Sequence, residues 1–189
     1  MPLILNNICK RFGEKNVLEN FSLEVKDGER ICLLGPSGGG KTTLLNIIAG
    51  LISPDSGSLQ LNCGKISYVF QEYRLLPWVD AAENITASSG CTNERAEELL
   101  KAMELSSDMH SYPDSLSGGM QQRVNIARAL AANADTILMD EPFKGLDTAL
   151  KTRIIAVVDQ YCLGRTVILV THDRCEAELL KCTRIYEFE

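Results

Sequence analysis

The sequence predicts an α/β fold with a parallel-sheet core, an N-terminal antiparallel β-subdomain and a helical insertion, and three observations predict it. Short β-type runs crowd residues 1–70, joined by turns rich in Gly, Asp and Asn. Residues 90–132 carry helical spacing only. The later β-runs are separated by long helical segments, the separation that parallel neighbours need. At 189 residues the chain is one domain by size, able to bury roughly 70% of its unfolded surface.

The elements follow in order. Apolar β-runs at residues 3–8 and 17–25 flank a turn at residues 13–16, and Asp27-Gly28 leads into the run at 31–34. After Gly40, Leu44, Leu45 and Ile48 share one helical face, and Gly50 stands where a helix end favours glycine. Runs at 58–61 and 66–70 are joined through residues 62–65. The three short turns suit antiparallel pairing, which places the β-subdomain mainly within residues 1–70 and the helical insertion at about residues 72–132. Ala96, Leu99, Leu100 and Met103 form one helical stripe, and Met120, Val124, Ala127 and Leu130 another. A β-run at 136–139, a helical stripe of Leu150, Ile154, Val157 and Tyr161, and β-runs at 166–170 and 185–188 complete the chain. The runs at 31–34, 136–139 and 166–170 are expected as parallel neighbours.

Composition excludes several classes. With 25 acidic and 19 basic residues the net charge is −6 and the isoelectric point about 5.1, which disfavours nucleic acid as the main partner. At 45% apolar and 23% charged, the chain is not disordered, collagen-like or coiled coil. Its longest apolar stretches, such as residues 166–170, fall far short of the roughly 20 residues that span a bilayer. The N-terminus has neither the basic region nor the cleavage site of a secretory signal, so a cytoplasmic protein is expected. Seven scattered cysteines contain no C-x-x-C pair, and free thiols are the expectation.

Two segments carry phosphate chemistry. Gly35-Pro36-Ser37-Gly38-Gly39-Gly40-Lys41-Thr42, with Thr43 next, fits G-x-x-x-x-G-K-[ST] between an apolar strand and an amphipathic helix. Backbone N–H groups of such a loop curl around phosphate oxygens, Lys41 neutralises the β- and γ-phosphates, and the Thr42 hydroxyl ligates Mg²⁺. The core is therefore that of a P-loop NTPase. Residues 136–139 lead into Asp140 and Glu141 at a strand end, where Asp140 can hold the Mg²⁺ hydration shell and Glu141 can deprotonate a water that attacks the γ-phosphorus. Further on, Ser117-Gly118-Gly119 in Leu116-Ser117-Gly118-Gly119-Met120 caps a helix start and leaves N–H groups open to a second oxyanion.

With that segment the chain resembles the nucleotide-binding subunit of an ATP-binding cassette (ABC) transporter over essentially its whole length, Leu116 to Met120 standing for the family's LSGGQ signature. The resemblance implies two copies paired head to tail, with ATP and Mg²⁺ between Lys41 of one chain and Ser117, Gly118 and Gly119 of the other. It further implies that Gln71 is the Q-loop glutamine at Mg²⁺ or the attacking water, His172 the switch histidine near the γ-phosphate, and Asp147 the D-loop aspartate at the dimer interface. Phe12 takes the place of the aromatic that stacks on adenine; packing within the β-subdomain is the alternative for that ring. Leu75-Leu76-Pro77-Trp78 is similar to importers of nitrate, sulfonate and taurine type and lies where the family receives its permease; a buried Trp78 at the subdomain hinge is the alternative.

What the resemblance implies overall is an ATPase subunit powering solute import through separate membrane-spanning subunits, with an extracytoplasmic solute-binding protein in the full system. Such a subunit attaches to the cytoplasmic face of the cell membrane. The chain ends one β-run beyond His172, so no regulatory domain is expected. A soluble ABC ATPase of translation or DNA repair is the alternative; such proteins carry paired cassettes or long insertions. A P-loop kinase or GTPase would leave Ser117 to Gly119 and His172 unexplained, and the sequence lacks the guanine-reading N-K-x-D tetrad.

Overall fold

A computed structural model describes residues 2–61 and 64–188. The chain runs β1 (Leu3–Phe12), β2 (Lys15–Val25), β3 (Arg30–Leu34), α1 (Lys41–Ile48), β4 (Ser56–Leu61) and β5 (Ile66–Val69). It continues through α2 (Ala81–Ser89), α3 (Asn93–Ala102), a 3-10 turn at Pro113–Ser115, α4 (Gly118–Ala131) and β6 (Thr136–Asp140). α5 (Thr148–Tyr161), β7 (Thr166–Thr171), α6 (Arg174–Leu179) and β8 (Arg184–Glu187) follow.

Two sheets result. β1 lies antiparallel between β2 and β4, and the second sheet has the order β5-β6-β7-β3-β8 with every neighbouring pair parallel. Alternate residues of the parallel strands enter different cores. Ile31, Leu33, Leu138, Ile168 and Val170 pack with α1 and the antiparallel sheet; Cys32, Val69, Ile137, Met139, Val167 and Leu169 pack with the helices of the other side. Strands buried on both faces read as continuous apolar runs, which is how residues 136–139 and 166–170 read.

The turn-based pairing is corrected by this topology. Only the turn after Phe12 closes a hairpin. Asp27-Gly28 passes the chain from β2 into the parallel sheet, where the Gly28 N–H donates to Thr166 Oγ1 at 2.9 Å. Residues 62–65, of which Asn62 and Cys63 lie outside the described residues, lead from β4 to β5, and β5 joins the parallel sheet beside β6. The reason is burial: Ser67 and Val69 are covered on one face while Ile66 and Tyr68 pack against the α1 core on the other. Sequence reading missed α2 and α6. The Asp80–Glu83 capping box is the local signal for α2; α6 has six residues, too few for a stripe.

The parallel arrangement sends the ends of β3, β5, β6 and β7 to one edge, so Gly35, Gln71, Asp140-Glu141 and His172 gather there from distant parts of the chain. Phe143, wholly buried, anchors the chain just beyond β6. Phe143→Ala should lower unfolding free energy by about 3–5 kcal/mol, read from urea denaturation followed by circular dichroism.

Candidate functional site

The loop between β3 and α1 is shaped by a close approach. Gly40 takes φ +90° as the residue capping α1, and a Cβ there would stand 2.6 Å from the Val17 carbonyl oxygen, so no other residue fits without strain. Lys41, only 5% exposed, donates from Nζ to the carbonyls of Gly35 at 2.9 Å and Pro36 at 2.6 Å. A cleft of about 260 Å³ opens beside the loop, lined by Val17, Ser37, Gly38, Gly40, Lys41, Thr42, Thr43, Gln71, Asp140, Glu141 and Val170.

Asp140 is 1% exposed, and neither carboxylate oxygen has a hydrogen-bond partner among the described residues. Burial raises its carboxyl above the ordinary pKa and the Glu141 charge adds to the rise, against Thr42 and Lys41. A buried unpartnered carboxylate is costly unless a cation shares its site. With the Thr42 hydroxyl and the Gln71 amide at the same cleft, the donors are oxygens, the set Mg²⁺ takes alongside phosphate oxygens and water. The residues present fit that ion.

Glu141 follows in the left-handed region at φ +49°, a strain of order 1–3 kcal/mol, with its N–H bonded to the Val170 carbonyl at 2.9 Å. Its carboxylate oxygens lie 2.9 and 3.0 Å from His172 Nδ1. The turn carrying His172 is itself fixed. Thr171 Oγ1 donates to Glu176 at 2.6 Å, Lys151 Nζ donates to Glu176 at 2.7 Å and to Asp173 at 3.2 Å, and the Asp173 N–H returns to Thr171 Oγ1. Burial would raise the Asp173 carboxyl, but the Lys151 ammonium holds it below the ordinary carboxylate range.

The remaining sequence-predicted residues stand elsewhere. Ser117, exposed, caps α4 by accepting the Met120 N–H at 3.3 Å, and Asp147 caps α5 by accepting from Leu150 at 3.0 Å. Neither these nor Gly118 and Gly119 line the cleft. The two glycines admit neighbours closely: a Cβ on Gly118 would stand 3.1 Å from the Tyr73 hydroxyl, and one on Gly119 3.4 Å from Leu146 Cδ2. Phe12 is 52% exposed at the end of β1, away from the cleft lining, so the packing alternative for its ring is corrected. Trp78 is 70% exposed, which likewise removes the buried-hinge alternative.

Sequence reasoning missed a polar face of α4. Gln122 Nε2 donates to the Pro142 carbonyl at 2.7 Å, Asn125 Nδ2 to Phe70 at 2.9 Å, and the Arg128 guanidinium to Tyr73 and Arg74 at 2.8 and 2.7 Å. The helix opened by Ser117 thus grips the chain on both sides of Gln71 and just past Glu141. Polar side chains three residues apart among buried Val124, Ile126 and Ala127 are the signal that could have found this face.

Cradle, buried carboxylate and strand-end glutamate define a nucleotide-hydrolysing P-loop protein. A family model described as ABC transporter matches residues 18–144. A probable sulfate/thiosulfate import ATP-binding protein of Chlorella vulgaris is 39% identical over 94% of this chain and 83% of its own length. An Fe(3+) ions import ATP-binding protein of Brucella abortus is 43% identical over 90% of the chain and 54% of its own length, so the chain spans about half of that relative. A macrolide export ATP-binding/permease protein of Campylobacter jejuni is 37% identical, with 30% of its length covered. Among solved structures, a dimeric ATP-binding cassette in a post-hydrolysis state with ADP and Pi superimposes with a TM-score of 0.89 at 34% identity, covering 99% of this chain and 94% of that one. The chain belongs to the ABC transporter family and is its ATPase cassette. The relatives' names carry sulfate/thiosulfate, Fe(3+) and macrolides, not the nitrate, sulfonate and taurine group that Leu75 to Trp78 resembles.

Asp140→Asn should raise the melting temperature of the nucleotide-free protein, because a neutral amide is cheaper to bury than an unpaired charge. The folded pKa of Asp140 is raised, so the wild type is penalised above that pKa and relieved below it; the variant's advantage should be fullest at pH 8 and shrink as pH falls through the raised value. Melting curves across pH check both the sign and the window.

Proposed function

We propose that this chain is the ATP-hydrolysing subunit of a transporter that powers solute import through separate membrane-spanning subunits. The observation that supports it best is the meeting, at one sheet edge, of the phosphate cradle, the unpartnered Asp140 and a Glu141 held by His172. Cradle residues Gly35 to Thr43 receive the triphosphate through their N–H groups, and Lys41 exchanges its carbonyl partners for phosphate oxygens. Thr42, Gln71 and Asp140 would hold Mg²⁺, which when bound polarises the phosphate oxygens. Glu141 orients the attacking water and takes its proton as the new P–O bond forms and the bond to ADP breaks, while His172 holds that carboxylate in place.

Ser117, Gly118 and Gly119 at the start of α4 and Asp147 at the start of α5 stand outside the cleft, which suits action on the ATP of a second copy, two nucleotides being enclosed between the pair. Phe12, exposed at the end of β1, presents a ring face that suits stacking on adenine. Exposed Trp78 and Tyr112 offer apolar area to a permease at the cytoplasmic face of the membrane. A solute-binding protein outside the membrane completes the system, and cargo of nitrate, sulfonate or taurine type is the finer reading of Leu75 to Trp78.

ATP with Mg²⁺ at 100 times its Kd should add about 2.7 kcal/mol of stability, a melting shift of roughly 5–10 °C for a chain this size. Lys41→Ala should erase that shift, and equal shifts in both proteins would overturn the cradle assignment. Glu141→Gln should be monomeric without nucleotide and dimeric with saturating ATP and Mg²⁺ by size-exclusion chromatography; a monomer alone, also when the permease is present, would overturn the shared site.

A further inference from the structure

The outer edge of the parallel sheet carries a second feature. A cavity of about 320 Å³ lies along edge strand β5, walled by Ser88 of α2, by Arg128 of α4 and by Ala132 just past its end. A cavity of about 370 Å³ adjoins it, sharing Lys65 and Ala132. Neither shares a lining residue with the nucleotide cleft.

The charged residues lining this trough are Lys65, Arg74, Arg95, Arg128 and Arg165, with no carboxylate among them, in a protein whose net charge is −6. Most of that charge is unmatched. Arg95 pairs with Glu98 at 2.7 Å and Arg74 has only Glu72 at 3.8 Å, while Lys65, Arg128 and Arg165 make no ion pair among the described residues. The Asp135 carboxylate accepts the backbone N–H of Lys65 at 2.8 Å rather than pairing with its ammonium. Arg128 gives three donors to neutral oxygens of Tyr73, Arg74 and Asn125, and Arg165 bonds the Asn133 side chain at 3.1 Å. Burial lowers the Arg128 pKa and the neighbouring Arg74 cation, itself lying over the Phe70 ring at 4.3 Å, lowers it further. The Ser67 hydroxyl on the same strand is buried and without a partner. Guanidinium forks match the geometry of tetrahedral oxyanions, and a dianion would neutralise the pair at once.

We propose that this trough binds a phosphate- or sulfate-type dianion between Arg74 and Arg128, with Lys65 and Arg165 completing the counter-charge. The dianion comes either free or as a lipid headgroup. The test uses the full chain saturated with ADP and Mg²⁺, so that the nucleotide cradle is filled. Sodium sulfate is titrated by calorimetry and by melting temperature against sodium chloride of equal ionic strength. Sulfate should bind and raise the melting temperature by several degrees beyond chloride, and Lys65→Gln with Arg165→Gln should weaken binding at least tenfold while melting normally in chloride. Arg74→Gln alone is the second variant, should the pair fail to fold. Co-sedimentation with vesicles containing phosphatidic acid, whose phosphomonoester headgroup can present the dianion, against phosphatidylcholine, separates the sources: retention lost in the variants assigns a headgroup, and sulfate binding without retention assigns the free anion. Chloride matching sulfate in the wild type, or variants that keep wild-type affinity, would overturn the proposal.

Discussion

Everything functional here depends on a parallel sheet whose central strands, β3, β6 and β7, are buried on both faces. α1 and the antiparallel sheet cover one side and helices α2 to α6 the other, and because the strands run parallel they release the chain at the same edge. Residues as far apart as Gly35, Gln71, Glu141 and His172 thereby become neighbours without any local sequence relation. The antiparallel sheet also shapes the cradle directly, since the Val17 carbonyl backs onto Gly40.

At that edge the chain accepts local costs that a stable fold would not need. Asp140 is a carboxylate without partners, Glu141 holds a left-handed backbone, and Lys41 is buried against carbonyls of its own loop. Each cost is of the kind that bound phosphate and Mg²⁺ would relieve. The surroundings hold these groups in place: the Thr171, Glu176, Lys151 and Asp173 network behind His172, and Phe143 behind Glu141.

α4 is the element that joins regions. Its first turn carries the Ser117 segment, its polar face holds the backbone around Gln71 and past Glu141, and its apolar face sits in the larger core. One helix thus bonds directly to the backbone at Phe70, Tyr73 and Arg74 while carrying Ser117 at its start. The proposed anion trough lies on the same helix, through the guanidinium that holds Tyr73 and Arg74.

The amino-acid sequence alone determined the segments that carry chemistry and the class of fold. A glycine loop between strand and helix, a carboxylate pair at the end of an apolar run and a capped helix start are local patterns, and local periodicity reports them. Strand partners were partly legible: β3, β6 and β7 are the parallel neighbours expected, whereas the short turn before β5 read as a hairpin and two-sided burial drew that strand into the parallel sheet. The bond between His172 and Glu141, the grip of Asn125 on Phe70 and the gathering of unpaired cations along β5 were decided only by tertiary structure. Each joins groups tens of residues apart through packing, and no pattern within a few turns of chain encodes such a contact.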